Sequence, residues 1–351
     1  MPPILFLVLP CSILISYFVT PFVIKYFRSK NWIENPSLKQ KKTGNATAVS
    51  SVPRGGGLPV FISVFVTSLI FLPLDKHLLG IILASFFALI IGLIDDIKDV
   101  SPKFRLFTNV FTALIVVASG IGIAYISNPF GGVIDLSVLQ LHFSFLGNHS
   151  IWILADLLAV FWIVWCMNFV GWASGIEGQL PGFVSISAIF IGILALRYSG
   201  DVTQWPVIIL AFTVAGAYAG FLPHNFYPQK IMPGYSGKSL AGLLLAILSI
   251  LSGAKLATLI FLLGLPMLDA IYAIIRRFIN HRPIYIGDGQ HLHHQLLKLG
   301  WGRRRIAVFY WSLSLILGFL SLLLNSQQKF YVFIGLAILF FGITLKFFRR
   351  I

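Results

Sequence analysis

The stretch LLGIILASFFALIIGLIDDIKD, residues 78–99, runs through seventeen apolar or small residues and then places Asp95, Asp96 and Asp99 within five positions. A helix rises 1.5 Å per residue, and a hydrocarbon core takes roughly 17 to 25 residues to cross. The stretch therefore reads as a membrane span that delivers a cluster of carboxylates to one membrane face. Working outward, comparable runs fall near 3–24, 57–74, 106–126, 151–170, 180–197, 204–221, 238–254, 256–275, 306–325 and 329–348, which makes eleven spans. Composition agrees. Of 351 residues 58% are hydrophobic and 11% charged, against about 25% charged in a soluble domain. Such numbers exclude a soluble or disordered chain, and two cysteines exclude a disulfide scaffold. The expected fold is an all-α polytopic membrane protein, a single domain over residues 1–351.

A net charge of +15 could suit nucleic acid, but its distribution fits orientation better. With the N-terminus outside, 22 of the 26 Lys and Arg residues fall on inward segments, leaving Lys76, Arg197, Lys255 and Lys329 outside. By the positive-inside rule this predicts N-out, C-in. No nucleic-acid partner is expected. The opening MPPILFLVLP lacks a basic stretch before its apolar run, so it reads as a retained span. Cys11 and Cys166 fall near opposite faces and read as packing residues. Alternation within 127–149 suggests a hairpin over the outer surface.

Polar chemistry gathers on the inward face. Asp95 and Asp96 repel one another, which favours a bound cation or a raised pKa, although a solvated helix cap would look the same. VPRGGGLPVF, residues 52–61, offers Arg54 as a phosphate fork beside glycines that permit close approach, or simply a flexible entry to a span. NFVGWASGIEGQLPG, residues 168–182, has Asn168, Ser174 and Glu177 as its strong polar groups and otherwise reads as a turn. In HNFYPQKIMPGYSGKSLAG, residues 224–242, Asn225, Lys230, Ser236 and Lys238 sit where a helix N-terminus can hold an anion, while lysines also serve as membrane anchors. GDGQHLHHQLLKLGWGRRR, residues 287–305, packs Asp288, His291, His293 and His294 together, a density suited to zinc or to a phosphate. Asp269, inside an apolar span, needs a partner there, and Arg276 two turns on is one candidate.

In this order the segments resemble the polyprenyl-phosphate N-acetylhexosamine-1-phosphate transferases, from about residue 33 to about 300. IENP at 33–36, PRGGG at 53–57, DDIKD at 95–99, NFYPQKI at 225–231, LPMLD at 265–269 and HLHH at 291–294 carry the resemblance. The histidine motif is similar to the N-acetylglucosamine branch, which reads D-x-x-H-L-H-H. The resemblance implies transfer of a sugar-1-phosphate from a UDP-N-acetylhexosamine to polyprenyl phosphate, such as undecaprenyl phosphate, with release of UMP. It further implies magnesium or manganese as cofactor, the plasma (inner) membrane as location with the active face cytoplasmic, membrane lipid as surroundings and a homodimer as one assembly. Carried over residue by residue, it implies catalytic or metal roles for Asp95, Asp96 and Glu177. It implies substrate binding for Arg54, Asn168, Asn225, Asp288, His291, His293 and His294, to which the reading of the residues themselves adds Lys238.

Two motifs depart. Where the family reads N-x-x-N-x-x-D-G-x-D-G, this chain has NFVGWASGIEG, so Gly171, Ser174 and Glu177 replace Asn, Asp and Asp. Where it reads F-M-G-D-S-G-S, this chain has MPGYSGK, putting Tyr235 at the metal-binding aspartate and Lys238 at the last serine. A phenol is a poor magnesium ligand, and an ammonium at 238 would supply some of the missing positive charge. Alternatives to the enzyme are a catalytically silent homologue that binds lipid phosphate or nucleotide sugar, and an anion transporter.

Overall fold

The computed structural model describes residues 5–36, 50–144, 148–252, 255–284 and 289–348; Asp288 lies outside them. Helices dominate: α1 Leu5–Ser29, α2 Gly57–Phe71, α3 Lys76–Lys98, α4 Pro102–Ala118, α5 Ile153–Trp172, α6 Gln179–Leu196 and α7 Gln204–Asn225. There follow α8 Gly234–Leu251, α9 Lys255–Leu262, α10 Gly264–Ile279, α11 Leu292–Lys298, α12 Arg303–Leu323 and α13 Ser326–Phe348. Among the described residues eight helices are long and apolar enough to cross a membrane, or nine counting the bent pair α9–α10. At 15 and 17 residues, α2 and α4 are shorter.

Local chemistry sets the boundaries. Asp75 caps α3 by accepting from the Leu78 N–H at 2.8 Å, and Ser101 caps α4 through Phe104 with Pro102 in its first turn. Asp99 ends α3 in a left-handed conformation, its N–H donating to the Asp95 carbonyl. The expected span 256–275 is broken: α9 and α10 meet at 82°. Pro266 explains the break, because it has no N–H to donate and its ring crowds the carbonyl four residues back.

The long helices α6, α7 and α8 are largely buried, with α1 packed on α7 and α2, α5 and α3 on α8, and α12 on α6. Small side chains let backbones approach. A Cβ on Gly92 would strike the Ser236 backbone, and one on Gly242 would strike Cys166 and Met167. Hydroxyls bridge elsewhere: Ser12 donates to the Thr213 carbonyl at 2.7 Å, and Ser63 donates to the Ser12 carbonyl at 2.7 Å. At the periphery, α13 touches α9 and α10 and leaves Tyr331, Ile338 and Leu339 exposed, as lipid-facing side chains are. Between α4 and α5 two hairpins replace the one expected over 127–149. They are β3 Tyr125–Ser127 with β4 Val133–Asp135, and β5 Gln140–Ser144 with β6 Asn148–Trp152. A short pair, β1 Ile33–Glu34 with β2 Val52–Pro53, lies at the opposite end of the bundle.

Candidate active site

Pairing of β1 with β2 sets Glu34 opposite Val52 and delivers Arg54 to the C-terminal end of α3. Its guanidinium lies 2.9 Å from Asp99, 3.3 Å from Glu34, 3.5 Å from Asp96 and 3.6 Å from Asp95. Burial alone would lower its pKa, but the carboxylates of Asp96, Glu34 and Asp99 outweigh that and hold it above the ordinary arginine value. The glycines after it admit a neighbouring turn. Gly56 donates to the Met232 carbonyl, and Gly57 lies against Ser236 and Gly237.

That turn starts α8, and Asp96 caps it. One Asp96 oxygen accepts from the Tyr235 N–H at 2.6 Å; the other accepts from the Ser236 hydroxyl at 2.6 Å and the Ser236 N–H at 3.3 Å. Gly234 has φ +66°, and a Cβ there would overlap the Asp96 carboxylate, so glycine is required. Asp95 accepts from Arg105 Nε at 2.5 Å and the Val100 N–H at 3.2 Å on one oxygen. Its other oxygen is buried with no hydrogen-bond donor. Arg105 lies over the Tyr235 ring, 5.0 Å from its centre, and the Tyr235 hydroxyl donates to Asn109 Oδ1 at 3.0 Å.

One turn along α8, Lys238 approaches the histidine segment, where its charge acts on His293. His293 is 1% exposed and its ring lies against Gly175, where a Cβ would overlap it. Burial, then the neighbouring His294, His291 and Lys238, depress its pKa well below the ordinary histidine value. The His291 and His293 rings stack at 5.8 Å, and those of His293 and His294 lie 4.2 Å apart. Asp269 finds its partners here rather than at Arg276: it accepts from His291 Nδ1 at 2.9 Å and from the Leu292 N–H at 2.9 Å. Arg276 instead donates to the Gln290 carbonyl. With Nδ1 so engaged, His291 presents Nε2.

The loop after α5 completes the cluster. Glu177, 4% exposed, accepts from Arg303 Nη1 at 2.8 and 2.9 Å. Asn225 accepts from the Gly178 N–H at 2.9 Å and donates to the Ile231 carbonyl at 2.9 Å and to Gln229 at 3.3 Å. Its whole amide thus ties two loops together. Asn168 donates to the Val164 carbonyl within its own helix, and Ser174 to the Gly171 carbonyl. Arg54, Asp95 and Asp96 therefore meet at the first turn of α8, the Lys238 charge on that helix acts on His293, and Glu177 and Asn225 hold the loop alongside. Reading the sequence passed over Arg105, Asn109 and Arg303 as site residues. Arg105 and Arg303 were hidden among anchoring charges, and Asn109 carries no pattern.

A magnesium ion needs several oxygen ligands in near-octahedral array. Both Asp96 oxygens and one of Asp95 already accept from protein donors, Arg303 occupies Glu177, and position 235 presents a phenol bonded to Asn109. Among the described residues no group of three acids, histidines or cysteines is arranged to hold a metal. The described residues, so engaged, do not fit a resident magnesium ion.

Two guanidinium groups flank the acid pair at the first turn of α8, whose N–H groups Asp96 already occupies, and the lysine and the three imidazoles are further donors that phosphate oxygens accept from. The family model described as glycosyl transferase family 4 matches residues 78–253, half of the chain. A probable undecaprenyl-phosphate N-acetylglucosaminyl 1-phosphate transferase of Bacillus subtilis is 29% identical over 336 residues, 94% of this chain and 86% of that protein. A decaprenyl-phosphate N-acetylglucosaminephosphotransferase of Mycobacterium leprae is 28% identical over 75% of this chain and 71% of its own length. A phospho-N-acetylmuramoyl-pentapeptide-transferase of Oceanobacillus iheyensis is 27% identical over 88% of this chain and 94% of its own.

Proposed function

This chain belongs to glycosyl transferase family 4, and from that premise we propose that it moves a sugar-1-phosphate from a UDP-N-acetylhexosamine to polyprenyl phosphate. A lipid-phosphate oxygen attacks the phosphorus that carries the sugar. The bond from that phosphorus to the bridging oxygen breaks, and UMP leaves with the electron pair. One phosphoanhydride is lost and one gained, so neither oxidant nor reductant is required. Two anions must approach one another, and positive charge fixed in place lowers that barrier more than covalent help would. Arg54 beside Asp95 and Asp96 would meet the lipid phosphate, and Lys238 with His291, His293 and His294 the donor diphosphate.

The observation that carries this reading is the first turn of α8, whose N–H group bonds Asp96 of the acid pair, while Lys238 on the same helix adds its charge to the surroundings of the buried His293. The single domain crosses the inner membrane eleven times, N-out and C-in, with α2, α4 and the bent α9–α10 pair among the crossings and this site on the cytoplasmic side. Purified protein given UDP-N-acetylglucosamine, other UDP-sugars and undecaprenyl phosphate tests it. Lipid-linked sugar phosphate and free UMP are expected with an N-acetylated donor, and no product with any donor would refute it. A second reading, a silent homologue that only binds these ligands, is favoured by Tyr235 and by the closed Glu177–Arg303 pair. It predicts UDP-sugar binding without UMP release.

A further inference from the structure

Position 235 distinguishes this site. An aspartate there would add a carboxylate beside Asp95 and Asp96 and call for more positive charge. Tyrosine removes that negative charge and supplies a ring face. Arg105 takes up the ring: its guanidinium carbon sits 5.0 Å from the ring centre, within cation–π range, while Nε bonds Asp95 at 2.5 Å and Nη2 reaches Asp99 at 3.7 Å. The ring is itself held, because the Tyr235 hydroxyl donates to Asn109, 2% exposed, on the same helix as Arg105. Arg54 closes the other side of the acid pair. Both Asp96 oxygens and one Asp95 oxygen therefore accept from a guanidinium, a hydroxyl or a backbone N–H, and the second Asp95 oxygen has the Arg54 guanidinium 3.6 Å away.

We propose that Arg105, carried on the Tyr235 ring and anchored through Asn109, is the resident cation of the acid pair, so that the site holds its reacting phosphates with guanidinium groups in place of a resident divalent ion. Arg105 is a positioning residue in this scheme, acting on the substrates through Asp95 and through its charge. The inference rests on the transferase reading for its consequence but not for its first test.

That test is manganese binding, followed by electron paramagnetic resonance on purified protein stripped with EDTA, in micelles without nucleotide. The wild-type chain is expected to hold no manganese at one per chain. Tyr235→Asp combined with Arg105→Gln is expected to acquire a site, with affinity raised about tenfold or more by the added carboxylate and the removed guanidinium. Wild-type binding of one ion that magnesium displaces and Asp95→Asn abolishes would overturn the proposal, as would failure of a folded double variant to gain the ion. The second arm is sugar-phosphate transfer under EDTA. Turnover should persist in wild type, fall in Arg105→Ala and recover in part in Arg105→Lys; wild-type turnover that stops with EDTA and returns with magnesium overturns it. If no sugar phosphate is transferred under any condition, the transferase reading fails, and manganese binding still decides the cation's identity.

Discussion

Asp96 is bound from three directions, and the worth of those bonds differs. Its carboxylate is buried, so removing its charge leaves Arg54 without one of its close partners. Breaking one side of a buried pair costs about 3 kcal/mol or more, whereas loss of one neutral donor costs about 1 kcal/mol. Asp96→Asn should therefore lower the thermal midpoint in detergent clearly more than Ser236→Ala; equal shifts would deny the pairing. His293 gives a pH prediction. Its pKa is depressed in the folded chain and near 6.5 when unfolded, so below about pH 6.5 the unfolded state binds the extra proton. Stability at this residue is present above that pH and is lost as pH falls from about 6.5 toward the folded value. Midpoints measured across that window should drop less steeply in His293→Gln. The histidines, acids and Arg54 were legible as candidates because polar groups are costly in so apolar a chain. Arg105 was not, since a basic residue after a span reads first as an anchor.

Helix packing turns on a few glycines that pattern alone cannot rank. Gly92 and Gly242 stand where α3 and α5 reach α8 at backbone distance, while nothing lies within 4 Å of a Cβ on Gly335 in α13. In a free helix Gly→Ala gains about 0.5–1 kcal/mol, but a side chain forced into a packed contact costs about 1–3 kcal/mol. Gly92→Ala and Gly242→Ala should destabilise and Gly335→Ala should be neutral or stabilising, as read by thermal unfolding in detergent. Span positions followed from apolar runs because lipid demands them. The 82° turn between α9 and α10 did not, although Pro266 marked the place. Nor did the tie between β1 and β2, two residues each, too short to leave an alternation in the sequence.

Across the whole molecule, the charge asymmetry predicts which end faces inward. Gly200, after α6, and Gly302, before α12, lie at opposite ends of the bundle with open space at the Cβ. With Cys11 and Cys166 replaced, Gly200→Cys in intact cells should react with an impermeant maleimide and Gly302→Cys only after the membrane is opened. The reverse pattern would invert the topology. The fold class and the convergence of distant turns were readable because each motif ends a span on one face. Which groups neutralise the acids depended on side-chain geometry that no spacing encodes. The claim on which the rest stands is that one site joins a sugar and its attached phosphate to a lipid phosphate. It is tested most directly with UDP-N-acetylglucosamine labelled separately in the sugar and in the phosphate attached to it, incubated with purified protein and undecaprenyl phosphate. Both labels should enter the lipid in equal amounts as UMP appears; sugar entering the lipid without its phosphate, or neither label entering, would contradict the account.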